Sequence, residues 1–296
     1  VVVVSGDLLM VALGYHGADF HGSQIQRDVR TVQGEMTEAL THLGWWSDGC
    51  LEISSRTDAG VSVRMNLAAI SLSESVLLNV GAATFVTAIN DHLPGDLVVW
   101  RAQRVSGESI VRFASSRTYL YRCEMIPKWP QEFDNELFVA ACAAFVGRHD
   151  FSNFCRLEAN RSPLRTVDSV EPWCDTSGRI VGISVTAESF LWNQIRRIAS
   201  AIHRVILSEI SVDDIVSALA NPEVPVDHGR APADGLMLWS LNHPDFPNHI
   251  DSTPVVEGFS LPPIGSRAHK RWLNLARMEN STLLEREWIK LNQGGE

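Results

Sequence analysis

Ser55-Arg56-Thr57-Asp58-Ala59-Gly60-Val61 follows a short strand-like run at Ile53 and precedes another through Ala69, Ile70 and Leu72. A strand, a tight turn and a return strand make a hairpin-like unit, and glycine permits the backbone angles such a turn demands. An aspartate at that place ordinarily accepts a backbone hydrogen bond. The functional alternative is a carboxylate held beside a guanidinium. Arg56 is two residues away, so the two side chains face one side if extended geometry persists, and a neighbouring cation favours the ionised form that a nucleophile needs.

Working outward, the apolar run Leu8–Leu13 predicts a buried strand leading into a Gly- and His-rich loop, Gly14 to Gly22. Thr31 is placed to cap a helix carrying Val32, Met36, Leu40 and Leu43 on one face and stopped by Gly44. A helix from about Ser75 to Asn90 precedes the turn signal Pro94-Gly95, and Leu97–Trp100 reads as a strand near the middle of a sheet. The second half repeats this vocabulary. Arg117–Glu124 alternates, Asp134 caps a helix carrying Leu137, Phe138, Cys142, Phe145 and Val146, and Gly147–Phe151 is a loop. Strands over Thr166–Trp173 and Arg179–Glu188, a helix over Gln194–Leu207, a capping box at Ser211 and Asp214, and a last strand at Gly235–Trp239 follow. The pattern predicts an α+β protein of two similar subdomains with antiparallel sheets flanked by helices, residues 1–105 and 106–240. An extension over 241–296 holds a linker-like Leu261-Pro262-Pro263 and a last helix at Arg267–Leu275 or Glu279–Leu291.

Of 296 residues, 45% are hydrophobic and 20% charged, the balance of an ordinary globule rather than a disordered chain. The formal charge of -10 argues against a grip on nucleic acid by bulk electrostatics. Residues 101–204, however, carry 14 Lys and Arg against 11 Asp and Glu, so a surface for RNA would be assembled there by folding. Only three of the 25 basic residues are lysines, and arginine suits forked phosphate contacts. Five scattered cysteines without a C-x-x-C pair read as reduced thiols, and no histidine spacing calls for a metal. The glycines of 14–22 are not a dinucleotide fingerprint. Val1–Val4 is far short of a membrane span, and no basic segment marks it as a signal peptide, so a cytoplasmic protein without a membrane partner is expected.

Ser55–Val61 resembles the catalytic motif G-R-T-D-A-G-V of the tRNA pseudouridine synthase A family, with serine for the leading glycine. The resemblance continues in order over roughly residues 8 to 240. Tyr15-His16-Gly17-Ala18-Asp19-Phe20-His21-Gly22-Ser23-Gln24-Ile25-Gln26 is similar to the family's Y-D-G-x-x-[FY]-x-G-x-Q-x-Q loop, and Thr31–Glu35 to its T-V-Q helix start. Arg117–Tyr121 resembles R-x-Y-x-Y, Gly147–Phe151 matches G-x-H-D-F, and Ser162–Val167 matches S-P-x-R-T-[IV]. Phe190–Arg196 resembles F-L-x-x-[MQ]-[VI]-R, and Ala231–Leu236 matches A-P-A-x-G-L.

The resemblance implies the pseudouridine synthase fold, with an active-site cleft between the subdomains, acting on uridines of the transfer RNA anticodon stem-loop at positions 38 to 40. It implies that Asp58 attacks the uridine at C1′ or C6 without cofactor or metal, and that Arg56 helps extrude the nucleotide. Tyr119 would stack on the flipped base, Arg196 would pair with Asp58, and Leu191 would wall the uracil pocket. Arg148, His149, Arg161 and Arg165 are candidate phosphate positioners, and Gln24 and Gln26 either touch RNA or pin their loop. A homodimer binding one tRNA across both subunits is implied as well. Two departures stand out: His16 replaces a family aspartate, which changes how the loop is held, and Ser200 replaces a helix glycine, which predicts looser packing or a shifted helix. The arginine-rich composition and the altered first loop suggest an archaeal member. A synthase acting at another RNA site, or an idle RNA-binding protein of the same fold, are the competing readings.

Overall fold

Strands apolar on both faces belong inside a sheet, and those with one polar face at its margins. The computed structural model describes residues 8–247 and 253–293, so the Val1–Val4 run lies outside the described residues. The chain divides into two units, one of Val1–Ser115, Leu238–Asp251 and Thr282–Glu296, the other of Ser116–Met237 and Ser252–Ser281. Both combine antiparallel strands with covering helices, as the α+β reading predicts.

In the first unit, β1 (Leu8–Tyr15) and β3 (Ser62–Ile70) are buried along nearly their whole length and pair antiparallel, with Val11 opposite Ala68. β2 (Leu51–Ile53) pairs with the end of β3, and β4 (Leu97–Val105) pairs with the other side of β1. The Leu238–Asn242 part of β9 (Leu236–Asn242) also lies beside β3. α1 (Val32–His42) begins where Thr31 accepts a hydrogen bond from the Gly34 N–H at 3.2 Å. Two expectations are corrected here. The helix predicted over 75–90 is two helices, α2 (Glu74–Asn79) and α3 (Ala82–Asn90), because Val80 and Gly81 take extended angles. Among the described residues β4 is an edge strand, not a central one. Its apolar run is explained by α3 packing against it, and the Asn90 amide closes part of the edge by bonding both the C=O (2.7 Å) and the N–H (2.9 Å) of Val99.

In the second unit the strand order is β5 (Ser116–Tyr121), β8 (Ile180–Ala187), β7 (Leu164–Cys174) and β6 (Gly147–Asp150), each pair antiparallel. α4 (Asn135–Ala143), capped by Asp134, packs on β7, and α5 (Gln194–Ile206) packs on α4 and β5. α6 (Val212–Ala220) carries the predicted capping box of Ser211 and Asp214. Gly147–Asp150, read as a loop, is the edge strand β6, with Arg148 opposite Thr166; four mostly polar residues carry no strand signal of their own. The alternation of β8 predicts one wet face, yet Ser184 is buried. The segment after Ser252 covers it: Thr253 bonds Ser184, the Trp173 indole donates to the Pro254 C=O, and the Thr176 N–H donates to the Val256 C=O.

The last helix is a single one, α7 (Ser266–Gln293), uninterrupted by glycine or proline. Its residues belong to the second unit up to Ser281 and to the first from Thr282. In the second unit, Trp272 and Ala276 pack on Met125. Fully buried Arg122 lies between the rings of Phe259 and Trp272, with Glu124 at 3.2 Å and Glu279 at 2.8 Å. Burial lowers its guanidinium to about 10, opposed by Glu279. In the first unit, fully buried Arg64 pairs with Glu287 at 3.1 Å and sits over Trp239, while the Trp288 indole donates to the Arg64 C=O at 3.0 Å. The extension expected over 241–296 thus holds parts of both units. All five cysteines are free thiols, and burial pushes Cys142 up to about 12 and Cys155 up to about 11.

Candidate active site

β2 ends at Ile53, so extended geometry does not reach the Asp58 turn. The extended backbone on which a same-side placing of Arg56 and Asp58 depends stops short of both residues. Arg56 is exposed and Asp58 is half-buried. The turn closes through the Val61 N–H, which donates to the Asp58 C=O at 3.2 Å, with Gly60 at φ 83° in the position that type II turns reserve for glycine.

The first loop holds this turn from behind. The Ser23 N–H donates to the Thr57 C=O at 3.2 Å, the Thr57 N–H donates to the Ser23 hydroxyl at 3.0 Å, and the Tyr15 hydroxyl lies 2.8 Å from that of Thr57. Gly22 has φ 98°, and a Cβ there would stand 2.8 Å from the Thr57 oxygen, so the close approach requires glycine. On the other flank, buried Asn66 accepts from the Ser55 N–H at 3.1 Å and donates to the Ser55 C=O at 2.8 Å. Gln24 is half-buried. Gln26 donates to the His21 C=O at 2.5 Å, which pins the loop. Arg30 forks onto Asp96 at 2.6 and 2.8 Å, and this hydrogen bonding holds the Asp96 carboxyl below its ordinary range. His16, the departure from the family aspartate, meets Glu285 of α7 at 2.8 Å and packs against Trp288.

In the second unit, Tyr119 on β5 is 7% exposed and meets Phe190 edge-on at 5.3 Å. Leu191 is buried, and its N–H donates to the Gln194 side chain at 2.8 Å. Asn193 takes a left-handed conformation, φ 64°, at the start of α5. Arg196 in the first turn donates to the Ala231 C=O at 2.8 Å and to the Asn193 side chain at 3.2 Å, which offsets the unfavourable macrodipole. Arg197 pairs with Asp227 at 2.8 Å. Ser200, the departure from the family's helix glycine, donates its hydroxyl to the His228 C=O at 2.8 Å. Arg161 pairs with Glu158 and donates to the Phe190 C=O. Arg165 donates to the carbonyls of Ser162 and Leu164. Arg148 is exposed on β6, whereas the His149 ring bonds the Val146 C=O at 2.9 Å.

A family model described as tRNA pseudouridine synthase matches residues 141–244. The tRNA pseudouridine synthase A of Methanocorpusculum labreanum is 35% identical over 77% of this chain and 77% of its own length. The proteins of the same name from Thermococcus sibiricus and Methanosarcina barkeri are each 32% identical, over 83% and 88% of this chain and 89% and 92% of their own lengths. The chain belongs to the tRNA pseudouridine synthase A family. It is therefore an enzyme of the isomerase class, and its match is to archaeal members.

This family member carries a frame that motif reading overlooks. Tyr15, Ser23 and Asn66 fix the Asp58 turn; the first two lie in the Tyr15–Gln26 loop motif, whereas the one signal for Asn66 is a lone asparagine in the apolar stretch Met65 to Ile70. Among the described residues, no group of three or more His, Cys, Asp or Glu side chains is arranged to hold a metal, and no helix is long and apolar enough to cross a membrane.

Proposed function

We propose that this enzyme isomerises uridine to pseudouridine in the anticodon stem-loop of transfer RNA, at positions 38 to 40, with Asp58 as its nucleophile. The observation that carries the reading is the Asp58 turn, framed by Tyr15, Ser23 and Asn66, in a chain about a third identical to proteins named tRNA pseudouridine synthase A. Asp58 attacks C1′ or C6, the bond from N1 to C1′ breaks, the uracil turns, C5 bonds to C1′, and the bond to Asp58 breaks, by displacement at C1′ or elimination at C6, returning the free carboxylate. The C5 proton is lost and N1 gains one, so the product is an isomer and no cofactor is consumed.

The roles of the other side chains belong to the same proposal. Arg56, exposed on the turn, takes the place of the extruded nucleotide, whose flipping costs a few kcal/mol. Tyr119 stacks on the uracil, Leu191 walls its pocket, and Arg196, aimed by Ala231 and Asn193, pairs with the Asp58 carboxylate. The gathering of these side chains at Asp58 is itself part of the proposal. Arg148 and Arg161 meet phosphates, supported by Arg165 and His149, whose own bonds go to nearby carbonyls. Gln24 and Gln26 shape the loop behind the turn. The enzyme works in the cytoplasm as a homodimer, whose paired 101–204 segments offset the acidic remainder of the chain. Site-resolved pseudouridine mapping on unmodified tRNA transcripts tests the target. Product at positions 38 to 40 supports it. Product elsewhere moves the substrate assignment, and binding without product on a broad RNA pool contradicts the enzymatic reading.

A further inference from the structure

Nine tryptophans stand in the sequence, and eight are buried or half-buried. Trp192 is the exception, at 38% exposure, between Leu191 and Asn193. Its loop is held by bonds to its backbone. The Arg156 N–H donates to the Trp192 C=O at 2.7 Å, Arg161 donates to the Phe190 C=O at 3.2 Å, and the Leu191 N–H is taken by Gln194. The Arg156 guanidinium lies 3.9 Å from the centre of the indole ring, a cation over an aromatic face.

Four arginines, Arg117, Arg156, Arg161 and Arg165, gather round this loop and outnumber the two carboxylates among them, Glu158, which pairs with Arg161 at 2.8 Å, and Glu188. Arg161 reaches the backbone of Phe190, and its charge disfavours protonation of both Arg117 and Arg165, beneath the larger effect of burial. Like charges crowded together in this way favour an anion. Aromatic and guanidinium surfaces next to paired cations match the chemistry of an unpaired nucleotide, which offers a flat base and a phosphate.

We propose that Trp192, backed by Arg156, is a stacking platform for an unpaired base flanking the target uridine, with Arg161 and Arg165 meeting that nucleotide's phosphate. The inference rests on the function proposed above and adds a positioning residue to it. Stacking on one aromatic side chain contributes about 1–3 kcal/mol per base, equivalent to about 5- to 150-fold in affinity.

The test uses tRNA transcripts with 2-aminopurine at the unpaired nucleotides on either side of the target. Wild type, Trp192→Ala, Trp192→Phe and Arg156→Ala are compared for KM and kcat, and again for 2-aminopurine quenching in an Asp58→Ala background that blocks turnover. Trp192→Ala is expected to raise KM at least about fivefold with kcat changed less, and to abolish the quenching; Trp192→Phe should restore most of both. Arg156→Ala should give a smaller effect in the same direction. Quenching and KM in Trp192→Ala equal to wild type, with wild type active, would overturn the platform and leave the function standing. Absence of pseudouridine with wild type itself would overturn both.

Discussion

Asn66→Ala isolates the frame behind the Asp58 turn from the reacting groups. Asn66 is fully buried and Ser55 is 6% exposed, so deleting the amide leaves the Ser55 N–H and C=O without the partners now at 3.1 and 2.8 Å. Losing a buried backbone partner costs up to about 1–3 kcal/mol, so the two bonds together set a loss of at most about 2–6 kcal/mol, toward the lower end if water enters the space. At about 2–4 °C per kcal/mol for a protein of this size, the melting temperature falls by roughly 4–24 °C. The turn also loses a restraint next to Thr57 and Asp58, and misplacement of about 1 Å is worth about a hundredfold in rate. Thermal denaturation followed by circular dichroism, and kcat on a tRNA transcript well below the new melting temperature, measure the two effects separately. An Asn66→Ala protein that melts with wild type and turns over at the wild-type rate would refute the claim that Asn66 holds the turn.

Three further outcomes are expected. Gly22→Ala places a Cβ 2.8 Å from the Thr57 oxygen at φ 98°, so it should cost about 1–3 kcal/mol in urea denaturation and lower kcat more than it raises KM. Arg122→Ala removes the cation shared by buried Glu124, which keeps Arg179, and half-buried Glu279, which keeps the Ser260 N–H, so its denaturation midpoint should fall by the equivalent of up to about 3–5 kcal/mol; an unchanged midpoint would mean the network contributes nothing net. Burial holds His203 and His228 below the ordinary imidazole value, so on acidification the unfolded chain takes up those protons first. Stability should be full above pH of about 6.5 and decline below it by up to about 1.4 kcal/mol per unit for each group, until the folded imidazoles protonate. Urea midpoints at stepped pH check this, and the His203→Gln, His228→Gln double variant should flatten the limb. At lower pH the Asp96 carboxyl, depressed by Arg30, adds stability that is present above about 3.9 and lost as pH falls through its folded value.

Features encoded by near neighbours were legible in the sequence. The caps at Thr31, Asp134 and Ser211 and the apolar run of β1 declare themselves within a few residues, and the structure keeps them. Features encoded by distant partners were not. The edge position of β4 depends on Asn90 and α3, which a local apolar run does not report. The segment after Ser252 has no period because it is held by Ser184, Trp173 and Asp175, some seventy to eighty residues earlier in the chain. The site divides in the same way. The order of short motifs marks Asp58, Tyr119 and Arg196, whereas the hydrogen bonds that hold the Asp58 turn come from Tyr15, Ser23 and Asn66, residues that no single motif groups together. Trp192 escaped notice because its sequence neighbourhood does not distinguish an exposed indole from the buried ones.

The most direct test of the central claim is tritium release from tRNA transcripts carrying [5-³H]uridine, under single-turnover conditions, for wild type and Asp58→Asn proteins matched in melting temperature and tRNA affinity. The account predicts release by wild type and none above background by Asp58→Asn, since the amide keeps the shape of the turn but cannot supply the attacking carboxylate. Release by Asp58→Asn at a rate comparable to wild type would show that another group initiates the reaction.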